Sequence, residues 1–407
     1  MKRKQAQPID DYAPPRRQFL ALAARYGFGA AVLTWVAMPG MSWAQKAAAA
    51  GAMAAEEGAK KARAKHVLTL GIDGVLNKSP DGPVVKASMW CIGNVEFKHA
   101  AEKHSNGDVY VDIHDGASLG SQTASLKKVQ QGVIQACTCS TQNAAELASV
   151  WNVLDIPYAI GPVQNYWKLV FSPEFDKSVR AKSAEANLIC LFTLPAPRWL
   201  EMSKKVGHDI RKPDDLKGLK IRVTGSKLEQ AAFKILPANP TPIAWAEVFT
   251  ALKDGAVDGV HVSAPSVLDG GMGPVVGQLV DTNWMYNCDS TWLTARWLAA
   301  LPKAARDAVM QAAYEAQVYI HDNFDRMLRD QAGMAPDSPK VGWRSFDTKF
   351  IRLTDAERNV WKDYLSVARN KDVLNELIDR YGRKEYELVV RVANAPGTAK
   401  PQPWWKA

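Results

Sequence analysis

Cysteine is scarce. Cys91, Cys137, Cys139, Cys190 and Cys288 are the only five in 407 residues, too few for the disulfide scaffold that holds small secreted domains together. Cys137 and Cys139 lie two apart in an apolar, extended run, which turns both thiols to one side of a strand as small buried hydrophobes. Long apolar runs are also missing: after the first 44 residues, no window stays apolar for the about 18 residues that a membrane-spanning helix needs. Clustered positive charge is the third absence. The formal charge is +9, but Lys2, Arg3, Lys4, Arg16, Arg17 and Arg25 against Asp10 and Asp11 put +4 of it in the first 44 residues. The thin remainder favours small anions and excludes the basic stripe of a nucleic-acid binder. Catalytic signatures are lacking too: no GxSxG elbow, HExxH pair, phosphate loop, CxxCH site, or GxGxxG after a strand. His99 and His104 are five apart, the wrong spacing for two ligands on one helix face. The seven histidines therefore read mainly as surface or structural groups, with no metal and no cofactor expected.

What is present begins with an export signal. Pro15-Arg16-Arg17-Gln18-Phe19-Leu20 pairs two arginines with an apolar dipeptide, an Ala- and Gly-rich run follows to Met41, and Ser42-Trp43-Ala44 sets small side chains where a signal peptidase needs them. This is the grammar of a twin-arginine signal peptide over residues 1–44, with cleavage after Ala44, which places the mature chain in the periplasm. Residues 45–65, rich in Ala, Lys and Glu, read as a tether that is helical at most and unpacked.

The fold should begin at His66. His66–Gly71 reads as a strand, Val84–His104 as an amphipathic helix ending at Asn106-Gly107, and Val109–His114 as an alternating strand. The unit repeats with a helix from Ser125 to Gln131, closed by Gly132, and a buried strand from Val133 to Thr138. A second block has strands at Leu219–Val223 and Val257–Val262, and helices at Ser226–Leu236 and Trp245–Lys253. Ala299–Met334 is helical for most of its length, and Thr354–Val392 is helix-rich. Alternation of this kind predicts an α/β protein with largely parallel sheets.

One stretch carries more. Lys212-Pro213-Asp214-Asp215-Leu216-Lys217-Gly218-Leu219-Lys220-Ile221-Arg222-Val223 is followed by Pro240-Thr241-Pro242-Ile243-Ala244-Trp245-Ala246-Glu247-Val248-Phe249 and by Ala251-Leu252-Lys253-Asp254-Gly255-Ala256-Val257-Asp258-Gly259. With Ser118-Leu119-Gly120, Gly132-Val133-Ile134-Gln135, Asp155-Ile156-Pro157-Tyr158, Thr282-Asn283 and the helix after Leu301-Pro302, this ordered set resembles the solute-binding proteins of TRAP (tripartite ATP-independent periplasmic) transporters of the DctP type, over residues 66–335.

The resemblance implies a two-domain periplasmic-binding-protein-like fold with a ligand cleft between the domains and a long domain-spanning helix. Domain I would be residues 66–193 plus 286–335; domain II would be 194–285 plus 336–394 with the C-terminal helices; 395–407 would be a Pro-rich tail. The family's carboxylate clamp falls on Arg222, whose planar fork meets both oxygens of a carboxylate and keeps its charge in a dry cleft. A second arginine falls on Arg198, although the 24-residue interval is long and Pro197 replaces a usual glycine. Trp245 occupies the aromatic cleft position and Asn283 the cleft asparagine. After Asp258-Gly259 the chain departs from the usual polar or acidic pair, which shifts a hydrogen-bonding role to His261 or Ser263. Thr141 and Gln142, at the end of the strand after Gly132, are candidates on the opposite domain, since open α/β sheets bind ligands at strand C-terminal ends.

The implied function is an extracytoplasmic receptor that captures a small organic acid by cleft closure and delivers it to the small and large permease subunits in the membrane. It would be neither an enzyme nor a nucleic-acid binder. The competing readings are a twin-arginine-exported periplasmic enzyme using the cysteines or histidines, and a sensor presenting its ligand to a receptor.

Overall fold

The computed structural model describes residues 54–78, 84–87 and 89–403; the signal peptide, its cleavage site and the two C-terminal tryptophans, Trp404 and Trp405, lie outside them. Thirteen strands occur among the described residues: β1 (His66–Gly71), β2 (Leu76–Lys78), β3 (Val84–Ala87), β4 (Val109–His114), β5 (Ala136–Ser140), β6 (Leu188–Pro197), β7 (Trp199–Ser203), β8 (Lys220–Val223), β9 (Asn239–Pro242), β10 (Gly259–Val262), β11 (Val276–Val280), β12 (Tyr286–Thr294) and β13 (Lys349–Ile351). The helices that matter below are α1 (Met89–His104), α2 (Gln122–Gln131), α3 (Thr141–Ala144), α4 (Lys227–Phe233), α5 (Val248–Asp254), α6 (Ala264–Asp269) and α7 (Lys303–Asp330).

The strands form two main sheets, ordered β4-β1-β5-β12-β6 and β13-β11-β7-β10-β8-β9, with β2 and β3 as a separate hairpin. The sheets are mixed and not largely parallel. β1 runs parallel to β4 and β5, whereas β12 is antiparallel to both β5 and β6. In the second sheet β8 is parallel to β9 and β10, and β7 is antiparallel to β10 and β11. The antiparallel members are those that connect the sheets. β6 and β7 are separated by Arg198 alone, so one extended stretch leaves the first sheet and enters the second; β11 and β12 make the return trip. The two crossings lie side by side, with the Arg198 N–H donating to the Met285 carbonyl at 3.0 Å.

Three sequence expectations are corrected. The helix expected from Val84 starts only at Met89, because Val84–Ala87 pairs with Leu76–Lys78 as a hairpin, the arm that the β-branched pair Val84-Val85 favours. The strand expected from Val133 starts at Ala136, and Val133 is 65% exposed. Gly132, in the left-handed region at φ 79°, ends α2, and the Val133 N–H turns back to the Lys128 carbonyl at 2.8 Å. Val133 therefore belongs to the helix-terminating motif that glycine makes possible. The tether is helical over residues 54–63 and is not unpacked: Glu57 accepts from the Tyr110 hydroxyl at 2.9 Å and lies 3.0 Å from Lys98 Nζ.

The long helical region breaks at Pro302, which caps α7 from outside. The buried face of α7 is rich in alanine (Ala305, Ala308, Ala312, Ala313, Ala316), and small side chains let it approach closely where it packs on α1 and β6. β6 is the edge strand of its sheet, and the fully buried Gln317 of α7 covers that edge. Its Oε1 accepts from the Thr193 N–H at 2.9 Å and its Nε2 donates to the Thr193 carbonyl at 2.8 Å. One side-chain amide thus replaces the missing neighbouring strand. Gln317→Leu, of similar volume, strands both backbone groups and should cost about 2–5 kcal/mol. Urea denaturation measures this, and a loss under about 1 kcal/mol would contradict the edge-capping account.

Candidate functional site

The sheet crossing brings together residues that are far apart in sequence. Arg198, 2% exposed, sits between β6 and β7. Its Nη1 donates to Glu229 Oε1 at 3.0 Å and to the His261 carbonyl, and its Nη2 donates to Gln142 Oε1. Glu229 lies on α4 and is fully buried. Its Oε1 also receives His261 Nδ1 at 2.7 Å, and its Oε2 receives the Thr224 N–H at 2.8 Å. Burial alone would raise the Glu229 pKa, but the adjacent Arg198 charge, with hydrogen bonds from His261 and Thr224, brings it down to about 2. Burial also lowers His261 to about 4 against the pull of Glu229, so its ring is neutral. An ionised carboxylate only accepts; Nδ1 therefore carries the proton, and His261 Nε2 is an acceptor with no partner among the described residues. The ring stacks on Trp284, centroids 4.5 Å apart, and meets Phe233 edge-on at 5.0 Å.

Glu229 and Thr224 were not singled out from the sequence. Glu229 stands three residues after Ser226, whose hydroxyl caps α4 by accepting the Glu229 N–H at 3.2 Å. That spacing is the sequence signature of a capping box, which hides the carboxylate's actual engagement with Arg198 and His261. Asp155, on the segment before the Pro157-Tyr158 turn, is also fully buried near Arg198, and burial drives its carboxyl well above the usual range.

The other expected residues fare differently. Thr141 and Ser263 spend their hydroxyls on the scaffold. Thr141 Oγ1 accepts from the Cys288 N–H at 3.0 Å and donates to Asn287, and Ser263 caps α6 through Ser266. Gln142 joins the network itself, accepting from Thr224 Oγ1 at 3.2 Å as well as from Arg198. Asn283 adopts a positive φ of 47°, donates to the Asp281 carbonyl at 3.1 Å and keeps a buried Oδ1 without a partner among the described residues.

Arg222 differs from Arg198. It is 4% exposed on β8, its Nε donates to the Ile243 carbonyl at 3.0 Å, and no carboxylate among the described residues forms an ion pair with it. Burial lowers its pKa to about 10, so it remains a cation at neutral pH. Its guanidinium carbon lies 5.7 Å from the ring of Trp245, which is 39% exposed. A buried cation with no carboxylate in direct contact among the described residues, beside an accessible aromatic face, is suited to receive an anion. A separate, small recess of about 20 Å³ opens in the first sheet, lined by Asp73, Asn94, Thr138, Asp289 and Ser290 among others. None of the residues expected from the sequence lines it. There, burial and the neighbouring Asp73 push the Asp289 carboxyl up to about 7.

The Glu229–His261 pair has a pH signature. Between the ordinary histidine value of 6.5 and about 4, the unfolded chain takes up a proton that folded His261 refuses; between 4.5 and about 2, the unfolded chain protonates a carboxylate that stays ionised when folded. Both make stability fall as pH falls. His261→Asn should flatten the upper part of that fall, from pH 6.5 to 4, in urea midpoints measured against pH; an unaltered slope would show that His261 is not its source.

The chain is similar to several known proteins. The C4-dicarboxylate-binding periplasmic protein DctP of Rhodobacter capsulatus is 26% identical over 312 residues, covering 76% of this chain and 87% of that protein. The 2,3-diketo-L-gulonate-binding periplasmic protein YiaO of Escherichia coli K12 is 25% identical over 272 residues, covering 66% and 78%. Among solved structures, a TRAP periplasmic solute-binding protein from Polaromonas, bound to D-erythronate, superposes with a TM-score of 0.69 at 20% identity, covering 81% of this chain and all of that one. Another, from Ralstonia eutropha H16 with bound (S)-2-acetolactate, gives 0.67 at 23%, covering 80% and 98%. The family model of the bacterial extracellular solute-binding proteins, family 7, matches residues 84–366, and this chain belongs to that family.

Proposed function

We propose that this protein is the extracytoplasmic receptor of a TRAP transporter, that its ligand is a small organic acid, and that Arg222 holds the ligand's carboxylate. The observation carrying the proposal is the buried Arg222 guanidinium, tied to the protein through Nε and without an acidic partner among the described residues. Leaving a cation so desolvated is costly unless an anion completes the site. Arg198, whose Nη1 and Nη2 are engaged by Glu229, Gln142 and the His261 carbonyl, acts as the organiser of the hinge and not as a second clamp. Trp245 supplies a face for the ligand's apolar part, and Asn283 and His261 supply polar contacts deeper in the crossing.

The two sheets are the two lobes of the receptor, and the paired crossings β6–β7 and β11–β12 are where they turn on one another. Closure follows binding only if the ligand contacts both lobes better when shut. The twin-arginine signal over residues 1–44 delivers the folded chain to the periplasm, where the closed form docks on the small and large permease subunits. The organic-acid class is supported by relatives that bind C4-dicarboxylate, D-erythronate, β-D-glucuronate and galactonate.

A thermal-shift screen of succinate, D-erythronate, D-glucuronate and galactonate tests the ligand class through linked stabilisation; no shift with any organic acid in a wider panel overturns it. Arg222→Ala should weaken binding of the acid so identified by about 2–5 kcal/mol, the cost of removing one member of a buried charge pair, and unchanged calorimetric affinity would remove Arg222 from the clamp role. Export is tested by replacing Arg16 and Arg17 with lysine, which should leave the protein in the cytoplasmic fraction; normal periplasmic recovery would refute the twin-arginine assignment.

A further inference from the structure

Gly270 closes α6, yet its backbone does not call for glycine. Its φ of −72° and ψ of 5° are open to any residue. The left-handed conformation that favours glycine belongs to its neighbour Gly271, at φ 73°. What Gly270 lacks is space for a side chain. A Cβ placed there would stand 2.9 Å from Trp245 Cζ2 and 3.0 Å from Met272 Cε, closer than carbon atoms pack. Met272 meets it only with its terminal methyl, the end of a flexible side chain that can shift by a few tenths of an ångström. The indole, the closer of the two and 39% exposed, is free to move.

The indole is also coupled to Arg222 from two directions. Its ring lies 5.7 Å from the guanidinium carbon, and the Arg222 Nε bonds the carbonyl of Ile243, two residues before Trp245. In addition, Arg222 and Thr241 are register partners of β8 and β9, which anchors the start of the Trp245 loop beside the arginine. The chain from Thr241 to Trp245 is therefore fixed at one end by the sheet and the Arg222 side chain, and at the other by the seat of the indole against Gly270.

We infer that Gly270 is a positioning residue for anion binding: its bare Cα seats the Trp245 indole so that the aromatic face stands beside the Arg222 guanidinium. The inference rests on the reading of Arg222 and Trp245 as the anion site. A methyl group at Gly270 displaces the indole from its seat, widens the gap to the guanidinium and weakens the hold on a carboxylate, while the buried core beneath is left intact. The size of the group at this position accordingly tunes which acids fit between arginine and indole.

The test uses the mature protein labelled with 5-fluorotryptophan, followed by fluorine NMR, with acetate as the simplest carboxylate probe. The resonance lost in Trp245→Phe assigns Trp245. Gly270→Ala should move that resonance, keep the thermal midpoint within a degree or two of the wild type, and weaken acetate's effect on the signal roughly three- to tenfold, the scale of a lost cation–aromatic contact. In the Trp245→Ala background the Gly270→Ala substitution should add nothing to the loss of acetate affinity, as expected for two residues acting through one contact. A Trp245 resonance unmoved by Gly270→Ala overturns the inference, and so does a moved resonance with unchanged acetate affinity. If Gly270→Ala moves the resonance but acetate fails to perturb it in the wild type, or still perturbs it in Arg222→Ala, the reading of the anion site fails while the seating of the indole stands.

Discussion

The buried ion pair between Arg198 and Glu229 is the interaction on which the rest of the arrangement depends. Both side chains are essentially out of water, at 2% and 0% exposure, and neither charge could be held there alone. The pair joins three elements: the one residue between β6 and β7 at the first of the two sheet crossings, helix α4, and, through His261, strand β10. Gln142 on α3 extends it to the first sheet, bonded to both Arg198 and Thr224. One carboxylate therefore holds the place where the chain leaves one sheet for the other. Satisfying every strong partner of that carboxylate is what makes a charged group tolerable at such depth.

That pairing determines the character of the second arginine. Arg198 is neutralised by its own glutamate, while Arg222 has only distant help from Glu229 and is opposed by Arg198, on top of the burial that already lowers its pKa. One arginine is thus ion-paired at the sheet crossing, and the other, on β8, has no carboxylate bonded to it among the described residues, which is the contrast on which the proposed anion site rests. The same economy appears elsewhere. Gln317 covers a sheet edge with a single amide, and the thiols of Cys137, Cys139, Cys190 and Cys288 are all pushed upward by burial, Cys190 to about 12. Thiols held protonated in this way pack as small hydrophobes and are poorly suited to nucleophilic or redox work.

Much of this was legible in the residues themselves. Strand β1 matches its expected span, and β4, α2, β8 and α4 fall where alternation, glycine stops and capping residues put them, because those signals are local. The family motifs placed Arg198, Arg222 and Trp245 in one order along the chain. The failures are equally local in origin. Val84 and Val133 were assigned by apolar character alone, whereas a hairpin register in one case and a helix-ending turn in the other decided their conformation. Glu229 was hidden because a cap and a buried counter-ion share one spacing.

The sequence by itself determined the family and the α/β class and, as expectations, the export signal and the arginine of the clamp motif, since each rests on residue type and spacing. Only the tertiary structure decided which arginine is already paired, which hydroxyls are consumed by the scaffold, and that a glycine with an unremarkable backbone makes room for an indole. Charge neutralisation, desolvation and exclusion of volume are properties of atoms brought within a few ångströms across the fold. Partners such as Arg198 and Glu229, 31 residues apart, acquire them only when the chain is folded.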